Sequence, residues 1–267
     1  MHRAPQPGTL CFAIGLIALG ILAFVYRDFA MVWQPVAPWF PSRTALVYVA
    51  GFIELACGIG LLFPGSARMA IRVLFPFVIL WSLLKVPDIV TAPLVEGSWS
   101  GLGELTILVS GAWVLFASLT GASHTLAVAG RRFPMAFILL GASLPAIGLS
   151  HFVYHGGTYS LIPAWMPYRT AFVYITGAGQ IASGLGVLFN VLPRVAAWAE
   201  VIQIALYTGL IWIPSIFLQH TNYLPEFFTK PDMRLALTAS AISWTIGAAA
   251  LLVAQSIPAK SSVARDA

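Results

Sequence analysis

A carboxyl group in the middle of an apolar stretch is the most informative side chain in the sequence. Glu54 lies near the centre of residues 44–63, where an ionisable group is expensive and marks function by default. Gly51, Glu54 and Gly58 stand at i, i+3 and i+7, so on a helix the acid shares a face with small residues that let another helix approach closely. Two roles fit: an acid that accepts a proton or holds a ligand, and a neutral carboxyl that hydrogen-bonds between helices. Gly177, Gln180 and Gly184 repeat the arrangement with an amide in place of the acid. A second polar row, Glu200, Gln203 and Tyr207, has the same spacing. It suits a transport or quinone site, or packing against a neighbouring helix. These residues, Glu54, Gln180, Glu200 and Gln203, together with His151, are the candidate ligand-binding set; none is assigned a catalytic role.

His151 and His155 are four apart, with His220 further along. Two histidines on one helix face can ligate a metal or haem. No Asp or Glu accompanies them locally, so a structural or interfacial role is expected and no metal site is assigned. Lys85, Asp88, Glu96 and Glu104 gather around the end of one apolar segment and the start of the next, where an ion-pair network is expected. The two cysteines, Cys11 and Cys57, lie inside apolar runs without a CxxC or a Cys/His cluster. Their placement argues against a disulfide framework, covalent haem, an iron–sulfur cluster or structural zinc. Neither a G-x-G-x-x-G nor a P-loop is present, so no nucleotide site is visible. With no nucleophile–base set either, a self-contained enzyme is the least supported class.

The elements that must position these residues are membrane spans. Of 267 residues, 59% are hydrophobic and 9% are charged, against about a quarter charged in soluble domains. Mean hydropathy is +0.88. These figures exclude a disordered chain and a nucleic-acid module, and point to an integral membrane protein. The net charge of +5 is read as topology and not as a nucleic-acid footprint. Eight segments are long and apolar enough to span: 9–26, 44–63, 68–90, 101–121, 134–154, 170–189, 194–218 and 234–254. The first could pass for a signal peptide, but no small-x-small cleavage site follows it.

Basic residues fall unevenly on the two sides. Arg3, Arg68, Arg72, Arg131, Arg132, Arg194, Lys260 and Arg265 share a side with both chain ends. Arg27, Arg43, Lys85, Arg169, Lys230 and Arg234 lie opposite, with most of the acids, among them Asp28, Asp88, Glu226 and Asp232. The positive-inside rule then places both ends in the cytoplasm. On the outer side, Trp33, Trp39, Phe40, Tyr159, Trp165 and Tyr168 suit an interfacial aromatic belt, and the prolines of links 27–43 and 155–169 keep those links from being regular helices. Anchoring is the expected role of both links, with folding down over the bundle as the other reading.

The chain also repeats itself. Residues 43–63, RTALVYVAGFIELACGIGLLF, align without a gap on 169–189, RTAFVYITGAGQIASGLGVLF, and eleven of 21 positions are identical. The match extends back over Trp39 and Trp165, Pro41 and Pro167, and forward to Arg68 and Arg194. A shared W-x-P-x-R-T-A-x-V-Y-x-x-G string is not an effect of composition. The expected architecture is all-α, with eight transmembrane helices as two parallel four-helix repeats, residues 1–126 and 127–267. Four spans per copy is an even number, so the copies run in the same direction, related by an axis along the membrane normal.

The motif V-Y-x-x-G-x-x-E-x-x-x-G-x-G-x-L, carried by Val47, Tyr48, Gly51, Glu54, Gly58, Gly60 and Leu62 after a proline- and aromatic-rich link, resembles the DoxX-like family of four-helix membrane proteins. The resemblance covers both halves, roughly 9–121 and 134–254; the second copy departs from it in carrying Gln180 for the acid. It implies a bacterial-type plasma (inner) membrane and a membrane subunit or scaffold, without catalysis of its own, beside a redox partner protein. No cofactor motif is evident, and quinone is the candidate that the resemblance leaves open. The alternative is a small-molecule transporter or channel with its site between the two repeats. The lipid bilayer is a partner in either case, and nucleic acid is not.

Overall fold

The computed structural model describes residues 5–31, 33–122, 134–218 and 232–258. Arg3, Arg131, Arg132, His220, Glu226, Lys230, Lys260, Arg265 and the boundary between residues 126 and 127 lie outside the described residues. All regular structure among those described is helical: α1 Pro7–Tyr26, α2 Arg43–Leu62, α3 Pro64–Leu84, α4 Val86–Thr91, α5 Glu96–Thr120, α6 Pro134–Val153, α7 His155–Leu161, α8 Arg169–Leu188, α9 Pro193–Tyr207, α10 Ile213–Phe217 and α11 Met233–Ser256. Eight spans, counting α3 with α4 and α9 with α10, are long and apolar enough to cross a membrane. This is a polytopic all-α membrane protein.

Local chemistry sets the helix boundaries. Proline occupies the first turn of α1, α3 and α9, where its missing N–H has no helical partner to lose. It moves the start of α3 back to Pro64, four residues earlier than hydropathy places the span. Ser42 and Tyr168 precede α2 and α8 with φ of 56° and 54°. This left-handed geometry is costly for side chains other than glycine, and here it recurs at an offset of 126 residues. The arginine that follows is used alike in both places. Arg43 stacks over Phe29 at 5.1 Å and donates to the Val36 carbonyl. Arg169 stacks over Tyr159 at 4.1 Å and donates to the Tyr159 carbonyl.

The spans form a closed ring. In the first half α1 packs on α2, α2 on α3 and α3 on α5; in the second, α6 packs on α8, α8 on α9 and α9 on α11. The pairs α5–α6 and α11–α1 join the halves, and α5 meets α11 at the centre. Exchanging the halves maps each pair onto another and leaves α5–α11 in place. Small residues permit the closest approaches: a Cβ on Gly20 would lie 2.7 Å from the Gly51 carbonyl oxygen, and one on Gly148 would lie 2.6 Å from that of Gly177. The two described ends of the chain meet, where the Gly8 N–H donates to Gln255 Oε1 at 3.3 Å. The described parts of the links, 27–31, 33–42, 92–95 and 154–168, lie at the opposite end, hereafter the α7 end.

Between α9 and α10, residues Thr208–Trp212 form a π-helical turn. Pro214 sits just beyond it, and a proline ring collides with the carbonyl four residues back in a regular helix. The widened turn spans Leu210, where that collision would fall, and such turns recur at functional sites.

Candidate functional site

Each half contains a buried amide donating to a buried carboxyl. In the first half Gln34 Nε2, from the link, donates to Glu54 Oε1 on α2 at 2.8 Å. In the second, Gln180 Nε2 on α8 donates to Glu200 Oε1 on α9 at 3.3 Å. Gln180 and Glu54 occupy equivalent positions, so the same place in the bundle holds the donor in one half and the acceptor in the other. Gln180 is 1% exposed and Glu200 is 0% exposed. Gln180 Oε1 and Glu200 Oε2 have no hydrogen-bond partner among the described residues.

The surroundings of these pairs differ. In the first half the link folds into the bundle: Phe29, Ala30, Trp33 and Gln34 are all buried. Phe29 meets Trp81 edge-on at 5.6 Å, and Phe77 meets Trp81 at 5.8 Å. Trp33 Nε1 donates to Glu104 Oε2 at 2.9 Å, and Gln34 Oε1 accepts from the Ala30 N–H. Trp33, expected in an interfacial belt, is thus 3% exposed and part of the core, whereas Trp39 at 81% and Tyr168 at 84% do face outward. The indole enters the bundle because Glu104 supplies the acceptor that its N–H needs once buried.

In the second half Phe77 and Trp81 are replaced by Gln203 and Tyr207, and the link forms α7 instead of folding inward. The result is a cavity of about 440 Å³. Its walls come from α6 (Ile147, Ser150, His151), α8 (Phe172, Thr176, Gln180), α9 and the π turn (Gln203, Ile204, Leu206, Tyr207, Leu210, Ile211, Trp212) and α11 (Leu235, Thr238, Ala239, Ile242, Ser243, Ile246). The link closes it with Leu161, Ile162, Pro163 and Met166, while the first half contributes Met31 and Glu104. Most of this lining is apolar.

One side is polar and internally bonded. Gln203 Nε2 donates to both the Thr176 carbonyl and Tyr207 Oη at 2.8 Å. Tyr207 Oη lies 3.0 Å from His151 Nε2, with the two rings stacked at 5.9 Å. His151 Nδ1 lies 3.2 Å from the Ile147 carbonyl oxygen. A Cβ on Gly179 would stand 2.7 Å from Gln203 Oε1, so the absence of a side chain there gives the amide its place. Below this side, Thr208 Oγ1 and Ser243 Oγ share a hydrogen bond of 2.7 Å between the π turn and α11.

Of the candidate residues, Gln180, Gln203 and His151 line the cavity, Glu200 stands behind Gln180, and Glu54 belongs to the plugged first half. The expected pairing of His151 with His155 on one face does not occur. Helix α6 ends at Val153, and His155 opens α7, its ring against Tyr174 at 5.4 Å. The ion-pair network is reduced to Lys85 and Asp88, 3.1 Å apart, since Glu104 is turned toward Trp33. Sequence reasoning missed Thr176, Ser243, Glu104 and the π turn as parts of this site; Pro214 was the available signal for the last. Among the described residues no cluster of His, Cys, Asp and Glu is suited to a metal ion.

A second cavity, of about 380 Å³, lies near the chain ends, between α1, α2, α3, α5 and α11, with Gln6, Thr9 and Gln255 in its wall. It shares no lining residue with the first.

A family model, Domain of unknown function (DUF8561), matches residues 140–249, a stretch that runs from α6 into α11 and carries nearly all of the larger cavity's wall. Neither a curated protein nor a solved structure matches the chain.

Proposed function

We propose that the protein binds a small amphiphile of quinone type in the cavity of its second half, as a membrane subunit without catalysis of its own beside a redox partner. The observation that carries this reading is the contrast between the halves. One is filled by the chain's own aromatic rings, and the other, at the same place in the bundle, has an apolar chamber with polar groups on one side. Apolar walls with a few convergent hydrogen-bonding groups suit a molecule with a polar head and an apolar body. Leu206 and Phe172 line the chamber and are also exposed on the outside of the bundle, which would give such a molecule access from lipid. The DoxX-like resemblance points the same way, to a bacterial-type inner membrane, and the distribution of basic residues favours both chain ends in the cytoplasm.

The experiment is to extract the protein from native membrane and identify what accompanies it, beside a Thr238→Trp variant whose indole fills the chamber. A quinone-like molecule recovered with the native protein and depleted from the variant is expected. Equal recovery from both would overturn the reading. A transporter is the second reading, favoured by the presence of a cavity at each end of the bundle. The two share α5 and α11 as walls but no lining residue.

A further inference from the structure

We infer that the seam between α3 and α5 holds an anionic phospholipid of the leaflet at the face where the chain ends meet, its phosphate taken by Arg68 and Arg72. Neither arginine lines either cavity, so the inference stands apart from the binding reading above.

Arg68, Arg72 and Phe75 stand at i, i+4 and i+7 on α3 and share one face. Both ends of that face are fixed to α5. Arg68 Nε donates to the Leu119 carbonyl at 3.0 Å, and the Phe75 ring stacks on Phe116 at 4.9 Å and meets Trp113 edge-on at 5.3 Å. Arg72, between them, is exposed and makes no hydrogen bond or ion pair among the described residues. Helix α3 runs 21 residues from Pro64 to Leu84, which is about 31 Å, close to the thickness of a bilayer's hydrocarbon core. Arg72 stands eight residues beyond Pro64, about 12 Å along that axis. A charge on the outer face at that depth is expensive in hydrocarbon alone. Side chains on a helix lean toward its N-terminus, and the N-terminus of α3 is at the face of the chain ends. Arg72 therefore reaches back toward Arg68 and the headgroup layer.

Two positive charges one turn apart repel, and no carboxylate offsets them. Among the described residues the ion pairs are those of Asp28 with Arg43 and Arg234 and of Lys85 with Asp88, all toward the α7 end. The buried Glu54 and Glu200 are bonded to amides. A phosphate between the two guanidinium groups supplies the missing negative charge through charge-assisted hydrogen bonds, and basic pockets between spans take lipid headgroups in this way. The half-buried rings of Phe75, Phe116 and Trp113 continue the seam toward the membrane centre and give an acyl chain an apolar floor. The anion that fits is thus a lipid and not a soluble phosphate. A zwitterionic headgroup would bring an ammonium back beside the arginines. The second half lacks the seam. At the offset of 126 residues Arg194 keeps the place of Arg68, but Trp198 stands for Arg72, Val201 for Phe75, Ala239 for Trp113 and Ile242 for Phe116.

The full chain is reconstituted in nanodiscs of equimolar phosphatidylglycerol and phosphatidylcholine with matched acyl chains. Lipids still bound after transfer to detergent are quantified by mass spectrometry. The unmodified protein should retain phosphatidylglycerol preferentially, and Arg72→Gln should lower that preference about fivefold, the effect of one arginine near an anionic surface. Arg72→Trp, which installs the residue the second half carries at this place, should lower it as well. Arg194→Gln removes an equal charge from the same face and should leave the preference unchanged. Equal retention of the two lipids by the unmodified protein would overturn the inference, as would a preference that survives both substitutions of Arg72. A loss in Arg194→Gln as large as that in Arg72→Gln would also overturn it, because the preference would then belong to the charge of the whole face and not to the seam.

Discussion

Glu54 combines an expensive residue type with a modest set of contacts. Its Oε1 accepts from Gln34, and its face carries the glycines that bring α1 close. Glu54→Gln keeps an oxygen at that place, and the second half already uses glutamine there. The substitution should leave membrane abundance and thermal stability nearly unchanged. Lost quinone-linked activity at normal abundance would instead show that the residue must exchange a proton, which an amide cannot do. Glu54→Leu is a different perturbation, since it leaves the buried Gln34 amide without its acceptor. A cost of about 1–3 kcal/mol is expected, read as a melting temperature several degrees lower in detergent. Asp28, in the link ahead of α2, gives a pH-dependent prediction. Burial pushes its carboxyl up, but hydrogen bonds from Arg43, the Phe29 N–H and Arg234 outweigh burial and hold it below the usual range. A carboxyl whose value is lowered by folding contributes stability that is complete above its unfolded value near ~4 and is lost as the pH falls through the folded one. The difference in melting temperature between the native protein and Asp28→Asn should therefore be constant from neutral pH to about 5 and shrink below 4. A difference that instead grew on acidification would contradict the assigned direction.

At the scale of elements, the central contact is the most sensitive to added volume. A Cβ on Gly111 would stand 2.7 Å from the Ala249 Cα, backbone against backbone, where α5 meets α11. Gly111→Ala should cost about 1–3 kcal/mol through overpacking, whereas Gly65→Ala, with nothing within 4 Å, should be neutral in the same melting experiment. The spans themselves were legible because each must be apolar over its length, and their ends were displaced only where proline or an early polar residue still permits helix, as at Pro64 and Glu96. The fate of the first link was not legible. Phe29 and Trp33 read equally well as interfacial anchors, and only the place of Glu104, seventy-one residues further on, shows where the indole N–H is satisfied. The polar row Glu200, Gln203 and Tyr207 was legible as a row. That it borders a chamber depends on what is missing beside it, the rings of Phe29, Trp33, Phe77 and Trp81, and a single stretch of sequence does not display that absence. The histidine pair failed because helical spacing was carried across a helix end at Val153.

For the molecule as a whole, the joint between the halves determines whether they behave as units. The most deeply buried spans are α5 and α11, which lie at that joint. Helix α11 buries Thr238, Ser240, Ser243 and Thr245. Of these, Ser240 and Thr245 bond back to their own helix, through the Ala236 and Ala241 carbonyls, and Ser243 reaches Thr208 in the π turn. No bond of this set crosses to the first half. Across the joint Trp244 Nε1 donates to the Cys11 carbonyl, the Gly8 N–H to Gln255 Oε1 and the Gly97 N–H to the Tyr154 hydroxyl, Asp28 pairs with Arg234 at the α7 end, and the rest of the adhesion is close packing, Gly111 against Ala249 and Gly15 against Thr245. Packing of that kind associates helices in lipid without a covalent link. Residues 1–126 and 127–267, expressed together as separate chains with a tag on the first, should thus co-purify, and Gly111→Leu should abolish the association, because a branched side chain cannot fit against the Ala249 backbone. Arg234→Ala should weaken it less, since an ion pair that is partly exposed contributes only ~0–1 kcal/mol. If the separate halves fail to associate while each is present in the membrane, the joint depends on the covalent link, and the view of two packed repeats is wrong.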